Sequence, residues 1–79
     1  MNRVTTLLDA ERGCWVHIVG FSGGEGLTAK LRQLGLVPGT RVRVLRAAPL
    51  GGPVLVEVGS RSIALGRRIA ARIDVEHGD

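Results

Sequence analysis

Few side chains in this sequence could carry out chemistry. Cys14 is the single cysteine, His17 and His77 are the two histidines, and Asp74, Glu76, His77 and Asp79 form the only cluster of acids with a histidine. Nucleophilic catalysis needs a thiol or hydroxyl beside a histidine that an acid holds in place. Cys14 and His17 stand three apart on a segment that reads as a strand, so they project to opposite faces. The expectation is a buried or half-buried Cys14, an exposed His17, no catalytic residues and no enzyme. A transition-metal site needs several nitrogen, oxygen or sulfur donors that converge. The acid and histidine cluster sits at a chain end expected to fray, so adventitious binding is expected there and no metal or cofactor site is assigned.

Gly24-Glu25-Gly26-Leu27-Thr28-Ala29 fits a GxGxx(G/A) fingerprint between a strand and a helix. The acidic ribose partner expected about 20 residues on is missing, since the region around Val44 offers Leu45 and arginines. No Gly-Lys pair exists to make a phosphate loop. A surface loop that feeds a helix is the simpler account.

The charged side chains are mostly basic. Eleven Lys and Arg against seven acids give +4, which allows an acidic partner without the dense basic run of a nucleic-acid arm. Arg41 and Arg43 share a strand face, Arg46 lies beyond them, and Arg67, Arg68 and Arg72 form a second basic segment. A nucleic-acid barrel adds aromatic stacking platforms, and this chain has only Trp15 and Phe21 and no tyrosine. Trp15, on the non-core face of the first strand, is either covered by a terminus or open to a partner.

These residues must be held by short elements. Leu27, Leu31 and Leu34 follow helical spacing with one buried face, while Lys30, Arg32 and Gln33 point elsewhere. Gly35 sits where a left-handed cap is needed, Leu36 where a hydrophobic contact back to Leu31 accompanies it, and Pro38-Gly39 makes a turn. The following strand, Thr40 to Ala48, sends Val42 and Val44 inward and Arg41 and Arg43 outward. Arg46 breaks that parity, by a bulge or by an apolar stem that covers the rim. Pro49-Leu50-Gly51-Gly52-Pro53 then forms a hairpin loop with Leu50 exposed at its tip, leading into Val54 to Val58.

Further strands are predicted at Cys14 to Val19, Arg61 to Leu65 and Arg72 to Glu76, with a helical turn over Gly66 to Ala71 before the last. Thr6-Leu7-Leu8-Asp9 fits a capping pattern and predicts one or two turns of helix before the first strand. Five strands and one inserted helix in 79 residues predict a single domain over 1–79, a closed or nearly closed antiparallel β-barrel that hides its sheet edges. Aromatics at 3% leave the core to Val, Leu, Ile and Ala. The lone cysteine, with no signal peptide or apolar span, suggests a reducing cytoplasmic setting.

The run Gly35-Leu36-Val37-Pro38-Gly39, then Val42, Val44 and Arg46, then Ala48-Pro49-Leu50-Gly51-Gly52-Pro53, resembles the ferrous iron transport protein A (FeoA) family. Ile18, Gly20, Phe21, Leu31, Leu34, Leu65, Arg67, Ala70, Ile73 and Val75 also fit its pattern, whereas Gly66 departs from it. The resemblance spans about Leu7 to Glu76. It implies a mainly β, SH3-like barrel with an inserted helix, acting in the bacterial cytoplasm as an accessory of the membrane ferrous iron transporter FeoB. The implied partner is that transporter's cytoplasmic GTP-binding part, with the membrane reached only through it. Candidate contact residues are Lys30 and Arg32 on the helix, Arg46 at the rim and Leu50 at the tip. Alternatives are the regulatory SH3-like domain of an iron-dependent repressor, against which the start at Met1 and the lack of DNA-binding helices weigh, and a small nucleic-acid-binding barrel. No nucleic-acid partner is expected.

Overall fold

The structure, a computed structural model, describes residues 4–77. Its elements run β1 (Val4–Thr6), β2 (Trp15–Phe21), α1 (Glu25–Gln33), β3 (Arg41–Ala47), β4 (Val54–Val58), β5 (Arg61–Leu65), α2 (Arg67–Ala70) and β6 (Ile73–Glu76). The strands form one antiparallel sheet in the order β1-β6-β2-β3-β4-β5. Val16 and Ile18 of β2, Val42 and Val44 of β3, Val54, Val56 and Val58 of β4, Leu65 of β5 and Ile73 and Val75 of β6 all enter one buried cluster. Leu31 of α1, Ala70 of α2 and the connecting residues Leu7 and Leu36 complete that cluster over the buried face of the sheet, in the mainly β, antiparallel architecture that the patterning predicts.

The end of α1 follows its local signals. Gly35 takes φ +83°, its N–H donates to the Arg32 carbonyl at 3.0 Å, and the Leu36 N–H donates to the Leu31 carbonyl at 2.9 Å. This is the Schellman arrangement, in which the carbonyls left unpaired at a helix end are satisfied by a left-handed reversal. Leu31 and Leu36 are both fully buried, so the cap also delivers the chain to the core. Val37 to Thr40 then closes as a turn, with the Thr40 N–H on the Val37 carbonyl at 3.0 Å and Gly39 at φ +94°.

The parity break in β3 is a bulge. Val44 pairs with Val56 and Arg46 with Leu55, so Leu45 has no opposite number. Across it the Arg46 side chain lies on the outer face while Ala47 pairs with buried Val54.

Two expectations are corrected at the N-terminal side. There are six strands, not five, because Val4–Thr6 pairs with Asp74 to Glu76 as β1. The predicted helix after it is a turn. The Thr6–Asp9 capping contacts do form, with the Asp9 N–H donating to Thr6 Oγ1 at 3.3 Å. The Asp9 and Ala10 N–H groups, however, donate only three residues back, to the carbonyls of Thr6 and Leu7 at 3.1 and 3.4 Å, while the Leu7 and Leu8 N–H groups fasten the turn to the carbonyls of Ile73 and Ala70 at 2.8 and 3.3 Å. Burying Leu7 completely in the core outweighs extending a short helix.

Candidate functional site

Of the four sequence-predicted contact residues, Lys30 and Arg32 are exposed in the last turn of α1, and Arg46 and Leu50 are exposed on the β3–β4 hairpin. The fold holds these two pairs at opposite ends of β4. The α1 end is tied to the β4–β5 turn, where the Arg61 guanidinium donates to the Leu34 carbonyl oxygen. The hairpin tip leads into Val54, at the other end of β4, about 16 Å away at the usual rise per strand residue. Two separate patches result.

The hairpin patch is built from proline and glycine. The Ala48 N–H donates to the Pro53 carbonyl at 2.9 Å and the Gly52 N–H to the Pro49 carbonyl at 3.2 Å, so the loop is closed twice. Leu50 and Gly51 take φ of 59° and 77° between those bonds, the two positive values of a type I′ reversal. Gly51 adopts this at no steric cost, but Leu50 does so against its Cβ. Leu50 is also fully exposed, at 103% of its reference area. A large aliphatic side chain held in a disfavoured backbone region and wholly in water contributes nothing to folding that a glycine would not.

The helix patch borders a groove of about 390 Å³ lined by Phe21, Gly24, Glu25, Thr28, Ala29 and Arg32. This is the segment that carries the GxGxx(G/A) pattern. The flanking strands β2 and β3 are antiparallel neighbours, whereas a dinucleotide unit requires parallel strands joined by a crossover.

Trp15 is half-covered, and by arginines instead of a terminus. The Arg41 and Arg43 guanidinium carbons lie 4.9 and 4.7 Å from its ring centroid. Arg43 pairs with Trp15 across the β2–β3 ladder, and its Nε donates to the Glu57 carboxylate at 2.9 Å, with Nη2 on the same oxygen. The outer arginine row is thus engaged within the chain, and the indole is occupied as a stacking surface.

The described residues bring together a donor group other than the one singled out in the sequence. Asp74 and Glu76 lie two apart on β6, Glu76 faces His17 with 3.5 Å between Oε1 and Nε2, and Asp79 is outside the described residues. His77 instead lies with Glu11 and Cys14, one ligand atom of each falling within 4.8 Å of the others. Partial burial first, then the hydrogen bond that the thiol donates to Glu11 and that carboxylate's charge, push the Cys14 thiol above its ordinary value. Sequence spacing could not reveal this group, because Cys14 and His77 are separated by most of the chain.

The family model of the FeoA domain matches residues 5–77. The chain belongs to the FeoA family. FeoA proteins are accessory proteins of iron transport. A crystal structure of an iron uptake regulatory protein (FeoA) is 30% identical, superposes with a TM-score of 0.84, and is covered over 99% of its length by 95% of this chain. A second relative is the FeoA of Stenotrophomonas maltophilia complexed with zinc, described as a procaryotic SH3 domain protein and a candidate ferrous iron transport activating factor. It is 29% identical with a TM-score of 0.74, over 90% of this chain and 88% of that one. A manganese-dependent transcriptional repressor shares the fold, with a TM-score of 0.82 at 21% identity, over 95% of this chain and 42% of the repressor. Among the described residues, no helix is long and apolar enough to cross a membrane.

Proposed function

We propose that this FeoA protein acts by protein–protein contact, binding the cytoplasmic GTP-binding part of a FeoB-type ferrous iron transporter and modulating it. The observation that carries this reading is Leu50, an exposed aliphatic side chain on a rigid, doubly hydrogen-bonded tip, beside the exposed cation Arg46. A preorganised apolar anchor with a charge at its rim is what a protein interface uses, because little conformational freedom remains to be lost on docking. Lys30 and Arg32 provide a second, electrostatic patch.

Because the patches lie at opposite ends of β4, they can be tested apart. Immobilised transporter GTP-binding domain should capture the wild-type chain. Leu50→Asp combined with Arg46→Glu should lower capture at least about tenfold, the effect of losing a well-packed anchor. Lys30→Glu combined with Arg32→Glu should act on the association rate and its salt dependence. No capture of the wild type would exclude this partner. Capture that is unchanged in both variants would exclude these surfaces.

The fold likeness to a repressor favours a second reading, that of a regulatory domain acting beside a DNA-binding module. It predicts that the chain associates with such a module and not with the transporter domain in the same assay.

A further inference from the structure

Glu11, Cys14 and His77 bring three unlike donors to one point on the surface: a carboxylate oxygen, a thiol sulfur and an imidazole nitrogen, all within 4.8 Å of one another. The fold sets their approach. Glu11 to Cys14 is a turn closed by the Cys14 N–H on the Glu11 carbonyl at 3.3 Å, with Gly13 at φ +83°. The Gly13 N–H donates to the Val44 carbonyl at 2.9 Å, which fastens the turn to β3. His77 follows directly on β6, whose last residue, Glu76, pairs with Val4 of β1 and His17 of β2. The ring is thereby delivered to the point where the chain enters β2.

We propose that these three residues form a binding site for one divalent cation of the zinc type, with the fourth position left to water. The donor set selects the ion. Thiolate with imidazole suits borderline-soft late first-row cations, whereas Mg2+ and Ca2+ require all-oxygen shells. One thiolate and one carboxylate also neutralise the charge of a divalent ion.

The geometry is close to what such an ion needs. Bonds of about 2.0–2.3 Å in a tetrahedron separate neighbouring ligand atoms by roughly 3.3–3.6 Å. Cys14 Sγ and Glu11 Oε1 already stand 3.6 Å apart, in the hydrogen bond that a metal would replace. The remaining closure falls to the exposed side chains of Glu11 and His77, which can rotate without disturbing the core. A cavity of about 220 Å³ lined by Val4, Thr5, Asp9, Ala10, Glu11 and His77 opens beside the group. It leaves room for a water or an exchangeable fourth ligand, the arrangement of an open zinc site and not of a closed structural one.

The test uses the full chain stripped of metal by a chelator. Zn2+ titrated calorimetrically should bind at one ion per chain. Co2+ should give a thiolate-to-metal charge-transfer band together with the intense visible absorption of four-coordination. Cys14→Ser should abolish the charge-transfer band, and Glu11→Gln and His77→Ala should each weaken Zn2+ binding at least about tenfold, the lower range even for outer-shell losses at metal sites. Zn2+ should also slow alkylation of Cys14 in the wild-type chain, a readout that needs no variant. A stoichiometry other than one, a cobalt spectrum without the thiolate band, an unaltered alkylation rate, or wild-type affinity in any of the three variants would overturn the assignment.

Discussion

The Arg61 guanidinium at the start of β5 donates to the Leu34 carbonyl oxygen at the end of α1. This side chain therefore ties α1 to the sheet, where the helix carbonyls concentrate partial negative charge. Arg61→Ala should lower stability by about 1 kcal/mol. In a domain of this size that is roughly 4–8 °C in thermal midpoint, measurable by circular dichroism. An unchanged midpoint would mean that the contact is not held in solution.

Gly35 and Gly66 give a paired prediction. Gly35 takes φ +83° and must reverse the chain, whereas Gly66 has an ordinary extended backbone with open space where a Cβ would go. Gly35→Ala should cost about 1–2 kcal/mol through the left-handed conformation, and its Cβ, 2.6 Å from Arg61 Nη2, should also displace that guanidinium from the Leu34 carbonyl. Gly66→Ala should stay within about 0.5 kcal/mol. Chemical denaturation of the two variants side by side checks the difference.

Leu31 is fully buried and accepts the cap hydrogen bond from Leu36 through its carbonyl, so its side chain and backbone serve the same junction. Leu31→Ala should cost about 2–5 kcal/mol. Urea titration should show a large fall in the midpoint with the slope retained.

Trp15 reports on the arginine pair above it. Arg43→Ala should remove one face of its cover and the Glu57 ion pair, which raises the quenching of tryptophan fluorescence by acrylamide while costing no more than about 1 kcal/mol. Quenching equal to wild type would show that the stack does not shield the ring.

Leu50→Gly should leave the thermal midpoint unchanged or raise it, because glycine takes φ 59° without strain and no buried surface is lost. The same variant should weaken capture by the transporter domain. Loss of both stability and capture would argue that Leu50 serves the fold.

Much of this architecture is legible in the residues, and what is legible is local. The Gly35 cap, the Pro38-Gly39 turn and the Pro49 to Pro53 hairpin each depend on a backbone conformation that a few residue types adopt, so the types announce the shape. The Arg46 parity break announced an irregularity but not its form, which pairing with Leu55 decides. β1 was hidden because three residues carry too little alternation to register, and because Thr6 and Asp9 do make capping contacts, in a turn whose own hydrogen bonds reach only three residues back. Arg61 looked like any solvated strand cation, and the Glu11, Cys14 and His77 group depends on β6 returning beside β2. Neither leaves a mark at sequence range.

The unpaired Leu45 is a surplus residue in β3, because Val56 and Leu55 opposite it are consecutive while Val44 and Arg46 are not. Deleting it would leave Arg46 opposite Leu55 and Ala47 opposite Val54 in an unbroken ladder, and would take away the local bend and extra twist that a bulge adds. The insertion therefore governs the curvature with which the Leu50 tip leaves the sheet, and not the face on which Arg46 lies.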